Sequence, residues 1–128
     1  MAKKYFIELD GKRIGYSFFE KADAPMGVVF GKIHPEGIQL DYSFLHKYCK
    51  NAGVPLGTDY PQDRLIGTMN INGLKVFSEE GIEIKGMGTS INGMDSEGFE
   101  IEIVGVPYPF YEEEFPAHVK NYNDQFNK

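Results

Sequence analysis

A chain of 128 residues is the length of one domain, here taken as residues 1–128, and it can bury a core without metal or disulfide staples. Nineteen acids against thirteen bases leave a net charge of −6, which argues against nonspecific capture of nucleic-acid phosphates. Fifteen glycines, ten Phe and eight Tyr favour strands and turns over long helices.

The chain opens Met1-Ala2-Lys3-Lys4 and enters strand-like sequence with no long apolar leader, and the lone Cys49 can make no intramolecular disulfide. Both features predict a cytoplasmic protein. The apolar runs are only a few residues long, so no membrane passage is expected, and no lipidation motif is present. Tyr5 to Leu9, Asp10-Gly11 and Lys12 to Phe19 read as a β-hairpin with a two-residue turn. That register sets Glu8 opposite Arg13, Ile7 opposite Ile14 and Tyr5 opposite Tyr16. Glu20 to Gly27, with Pro25, has the composition of a loop, and Val28 to Ile33 reads as a strand that ends at His34-Pro35. Gly27, Gly31 and Lys32 lack the spacing of a phosphate loop, and Ile33 stands where its hydroxyl would be.

Asp41 to Asn51 is the best helix. Asp41 can cap it, Phe44, Leu45 and Tyr48 form its apolar stripe, Lys47 and Lys50 suit its C-terminal dipole, and Gly53 can end it. Val54 to Arg64 reads as a long surface loop with Thr58, Asp59, Tyr60 and Asp63 as its polar candidates. Leu65 to Val106 then reads as an antiparallel meander. Asn72-Gly73 is a type I′ turn signal that would pair Ile71 with Leu74 and Met69 with Val76. Ile82 to Lys85 and Phe99 to Ile103 alternate apolar and charged, so Ile82, Ile84, Phe99, Ile101 and Ile103 should be core while Glu100 and Glu102 face water. Met87 to Gly98 fits either a short hairpin or an irregular loop. Pro107-Tyr108-Pro109 forces a turn, Phe110 to Glu114 starts a helix interrupted near Pro116, and Ala117 to Phe126 forms a last helix with His118, Tyr122 and Phe126 in a packing stripe. The fold class is therefore α+β: about seven mostly antiparallel strands in a bent sheet or small sandwich, one central helix and one C-terminal helix.

No catalytic signature sits on this scaffold. His46 and Cys49 have metal-ligand spacing on one helix face, but two ligands do not make a site, so neither a metal nor another cofactor is expected. Ser17 follows Gly15 with no glycine at position 19, so the nucleophile elbow is missing. Glu100 and Glu102 fit the wet face of a strand better than an acid–base pair. Charge is more informative. Residues 77–128 hold eleven acids and three bases, a balance of −8, and residues 1–76 carry +2. Tyr108, Phe110, Tyr111 and Phe115 beside Glu112, Glu113 and Glu114 make the most suggestive surface, since tyrosines supply rigid contact and carboxylates steer a basic partner. The competing reading is that these aromatics are core.

The segment from Ile14 to Gly31 resembles a pattern in small uncharacterised bacterial proteins, some of which are similar to immunity proteins of toxin–immunity pairs. The resemblance spans about a seventh of the chain and implies stoichiometric binding to a toxin domain without a cofactor. The expected function is thus an intracellular acidic binding protein whose C-terminal half blocks a basic, nuclease-like toxin domain through Tyr108, Tyr111, Glu112, Glu113 and Glu114. One alternative is a small-ligand or enzymatic pocket between loops 20–27 and 54–64, using Glu20, Asp23, His34 and Asp59. A purely structural subunit is the other.

Overall fold

The computed structural model describes residues 3–126. They form an α+β fold of two antiparallel sheets with helices at residues 42–52 and at the C-terminus. The first sheet holds β1 (Tyr5–Leu9), β2 (Lys12–Ser17), β5 (His34–Pro35) and β8 (Leu74–Ser78) in the order β5-β2-β1-β8. The second holds β3 (Lys21–Asp23), β4 (Val28–Lys32), β6 (Leu56–Tyr60), β7 (Leu65–Thr68), β9 (Gly88–Met94) and β10 (Gly98–Val104) in the order β3-β4-β10-β9-β7-β6. Period-two alternation drives one face of each strand inward: Tyr5, Ile7 and Leu9 from β1 share a core with Phe99, Ile101 and Ile103 from β10. The described residues form ten strands where seven or so were expected: β3, β5, β6 and β9 arise in segments not assigned as strands, while Ile82 to Lys85 forms none.

The first hairpin turns at Asp10 and Gly11, with φ of 51° and 83°, as a type I′ turn requires. Glu8 faces Arg13, but the register then shifts, so that Ile7 faces Gly15 and Tyr5 faces Ser17. A bulge at Ile14 accounts for the difference: Ile14 and Gly15 are both buried, and the extra residue re-aims the rest of β2.

The expected pairing across Asn72-Gly73 does not form. A tight turn is present, with the Leu74 amide donating to the Ile71 carbonyl at 3.1 Å, but it joins two sheets. Both edges of β7 are already taken, by β6 and β9, so β8 pairs with β1 along its whole length. Ile71, Leu74 and Val76 are buried as expected, whereas Met69 lies past the end of β7 and is 54% exposed. Ile82 to Lys85 gives one bridge, Phe77 with Glu83, rather than a strand. Ile84 is core there, and Ile82, at the rim of the turn, is 47% exposed. Residues 87–98 resolve into β9 and a turn at Asp95–Glu97. Asn92-Gly93 sits inside the strand, because Asn92 is paired on both sides, with Glu100 and Gly67.

Helix α1 (Tyr42–Ala52) starts where the Asp41 side chain accepts the Phe44 amide at 2.8 Å and ends at Gly53 in left-handed conformation. Its buried residues are Tyr42, Leu45 and Cys49, with Phe44 and Tyr48 half-buried. Helices α2 (Phe110–Glu114) and α3 (Pro116–Phe126) are separated by Phe115, as the proline at 116 suggested. The rings of Tyr5, Phe19, Tyr111 and Phe115 pack at centroid distances of 5.3 to 6.2 Å and fix α2 to the sandwich end. Of the expected stripe on α3, His118 is half-buried, but Tyr122 and Phe126 are 38% and 69% exposed, since α3 buries no residue fully.

Candidate functional site: the outer face of the six-stranded sheet

Because Phe99, Ile101 and Ile103 point inward, Glu100 and Glu102 project from the opposite face of β10. Glu100 lies between Lys32 of β4 and Asn92 of β9, and Glu102 between Phe30 and Ser90. Toward the far edge the same face carries Gly67 opposite Thr58. Long side chains at the β4 and β10 end, with glycine, serine and threonine beyond, leave a hollow. It is an open groove of about 880 Å³ with Leu65 and Met94 as apolar lining. Glu20, Glu97, Glu100 and Glu102 contribute four carboxylates to it, and Lys21 and Lys32 contribute two ammonium groups. The groove is thus cation-attracting. No histidine or cysteine is among its described lining residues.

Glu20 reaches this face because of an unusual corner. Phe19 has φ of 44°, a conformation costly for a non-glycine residue, and its ring is 1% exposed. Ser17 Oγ accepts the Phe19 amide at 3.1 Å, and His118 Nε2 lies 2.6 Å from the Phe19 carbonyl oxygen. The corner carries the chain from β2 of one sheet to β3 of the other. It leaves the Glu20 carboxylate accepting the Lys32 amide at 2.8 Å. Gly31 makes room for this, since a Cβ there would stand 2.6 Å from Ser17 Oγ and 2.7 Å from Glu20 Oε1.

A second groove of about 650 Å³ lies between the same sheet edge and α3 and shares Glu20 and Glu102 with the first. Asp23 adds a third carboxylate, Phe30 and Tyr122 add aromatic surface, and among the described residues no lysine or arginine lines it. The two grooves share Glu20 and Glu102, and Lys21 of the first lies beside Phe30 of the second. The Lys21 ammonium is 2.8 Å from Glu100 Oε2 and 5.7 Å from the Phe30 ring centroid. Hydrogen bonding to Glu100 holds the Lys21 pKa above its ordinary value.

The residues singled out from sequence are scattered by the fold. Tyr111 is fully buried and donates its hydroxyl to the Val28 carbonyl at 2.9 Å, so it is core. Glu114 has an 8% exposed side chain that accepts from Lys3 Nζ at 2.7 Å and from the Tyr5 hydroxyl at 2.8 Å. Only Tyr108, 47% exposed, and the exposed Glu112 and Glu113 remain on the surface. The five do not form one patch, because a five-residue helix turns its residues to different sides. Of the alternative set, Glu20 lines both grooves and Asp23 the second. His34 stacks on Tyr16 at 4.9 Å in the other sheet. Asp59 alternates to the far side of β6, where it accepts the Tyr42 hydroxyl and lies 3.5 Å from His46 Nε2. Segments 20–27 and 54–64 do flank the first groove, through Glu20 and through Gly57 and Thr58.

A polar clamp fastens the start of α1. Asp95 accepts the Tyr42 amide at 2.7 Å and pairs with Arg64, which also donates to Ser43 Oγ at 3.0 Å. Arg64, at φ of 50°, ends the short turn Pro61–Asp63, with its amide donating to the Pro61 carbonyl. The guanidinium holds the Asp95 carboxyl below its ordinary pKa. All of these groups are mutually satisfied, which makes the cluster a fastening of helix to sheet. Burial pushes the Cys49 thiol pKa up, away from a nucleophile's range. Among the described residues, no three His, Cys, Asp or Glu converge to hold a metal ion. No helix there is long and apolar enough to cross a membrane.

Sequence reading passed over Glu100 and Glu102 as the wet face of a strand and could not place Ser90 and Asn92. The available signal was the alternation in Phe99 to Ile103, which fixes the face but not its neighbours. Comparison of the chain with family models, with curated proteins and with solved structures finds no match.

Proposed function

We propose that the chain is an acidic binding protein that neutralises a basic, nuclease-like protein partner by stoichiometric occupation, as an immunity-type inhibitor would. The docking surface in this reading is the outer face of the six-stranded sheet. The observation that supports it is the pair of grooves, sharing Glu20 and Glu102, whose five carboxylates, Glu20, Asp23, Glu97, Glu100 and Glu102, outnumber the two lysines among their described lining. Opposite charge speeds encounter and rejects acidic competitors, and the hollow gives a protruding basic segment of the partner a place to seat. Exposed Tyr108, Glu112 and Glu113 lie outside the described lining of both grooves, and the two glutamates contribute steering only.

Affinity capture from the source cell, followed by association kinetics, tests this reading. Glu100→Lys with Glu102→Lys should cut the on-rate for a captured basic protein by at least tenfold at low salt. Glu112→Lys with Glu113→Lys should change it only a fewfold. A partner insensitive to the groove pair, or capture of no basic protein, would overturn it. A second reading is favoured by the size of the first groove, which falls within the ~300–1,000 Å³ of small-ligand pockets. Its mark would be saturable binding of a small organic cation that the same two substitutions abolish.

A further inference from the structure

We propose that Lys21 is an internal stand-in for the partner's cation: in the free protein its side chain lines the first groove beside Phe30 of the second, and a lysine or arginine of the docking segment displaces it. The proposal rests on the basic-partner reading above and assigns a regulatory residue within that site. The geometry that carries it is local. Lys21 stands opposite Phe30 across the β3–β4 pair, and Phe30 stands opposite Glu102 across the β4–β10 pair. The ammonium therefore passes beside an aromatic ring to reach Glu100 diagonally, at 2.8 Å. An aromatic ring flanked by carboxylates is a general recognition element for an alkylammonium or guanidinium group.

The occupant sits at the edge of the sheet. β3 is a three-residue edge strand paired on one side only, and the Lys21 side chain is 55% exposed. An ion pair that exposed contributes little, so releasing it costs little. Glu20 follows the strained Phe19 corner and stays fastened to the Lys32 amide, so its carboxylate remains in place when Lys21 swings away. Lys32, the other groove lysine, is in no ion pair within the described residues and is the natural control. An edge lysine also discourages strand-to-strand association between molecules, a role that would not depend on Glu100.

The test uses the full chain and fluorescent hexa-arginine and hexa-lysine peptides, with hexaglutamate as the negative probe, in low and physiological salt. Lys21→Met should tighten binding of the basic peptides about two- to fivefold, the range an exposed ion pair spans. Lys32→Met should tighten it less, and Lys21→Met should have no further effect in a Glu100→Gln background. On saturation, the side-chain ammonium resonance of Lys21 should move to the position of a free lysine, with the urea midpoint of each variant confirming that it is folded. If the wild type binds but Lys21→Met gains nothing, or gains as much in the Glu100→Gln background, the stand-in role is wrong and the groove reading survives. If neither the wild type nor Lys21→Met binds either basic peptide at low salt, both fall together.

Discussion

His118 Nε2 lies 2.6 Å from the carbonyl oxygen of Phe19, joining the C-terminal helix to a residue held at φ of 44°. The contact closes the corner that moves the chain from one sheet to the other and delivers Glu20 to the groove. Removing the imidazole leaves a strained carbonyl without its donor. His118→Ala should therefore lower unfolding free energy by about 0.5–1.5 kcal/mol in urea denaturation, the net worth of a hydrogen bond at a part-buried site. Amide exchange at Lys32, whose N–H donates to Glu20, should accelerate in the same variant.

Tyr111 separates core from surface on α2. Its ring is fully buried, so Tyr111→Ala should cost about 3–5 kcal/mol, while Tyr111→Phe should cost about 1 kcal/mol by losing only the bond to Val28. Tyr108→Ala, at a half-exposed ring, should be far milder. Equal losses for the two alanine variants in thermal melts would contradict this assignment.

Met69 and Ile82 provide the opposite test. Both are apolar residues in alternating sequence and both are exposed, at 54% and 47%. Replacing either with Lys should shift stability by no more than about 0.5 kcal/mol, whereas Ile71→Lys or Ile84→Lys should prevent folding. Chemical denaturation of the four variants checks the placement of the chain between β7 and β9.

The Asp95 clamp predicts an acid-side dependence. Its folded pKa is lowered, chiefly by the hydrogen bond to Arg64, so its contribution is fully present above the unfolded carboxyl pKa of about 4. That contribution declines as pH falls through the folded pKa, when the carboxyl takes up a proton and releases the guanidinium. Asp95→Asn should flatten the stability curve below about pH 4 relative to wild type, measured by urea midpoints across the acid range.

Glu114 should behave as a structural carboxylate. It accepts from Lys3 and Tyr5 and is nearly enclosed. Glu114→Ala should therefore cost about 1–3 kcal/mol and leave binding of basic peptides unchanged, while Glu102→Gln should do the reverse. Peptide titrations alongside denaturation separate the two.

Local chemistry determined much of this molecule. Asp10-Gly11 fixed a turn because only two positive φ angles close that hairpin, Asp41 and Gly53 bounded α1 because they satisfy its end groups, and the alternation in Phe99 to Ile103 set which side of β10 is core. Pairing partners were beyond its reach. A turn signal such as Asn72-Gly73 states that the chain reverses, not that the flanking segments bond to each other, and here the free edge of β1 took β8 while β7 was already enclosed. The acidic surface followed the same rule. Composition fixed its total charge, but which carboxylates gather depends on strands distant in sequence coming side by side: Glu20 and Glu102 meet only because β3, β4 and β10 are neighbours. Tyr111 and Glu114 left the surface because the aromatic ends of both sheets needed a cover, and a short helix against Tyr5 and Phe19 supplied it.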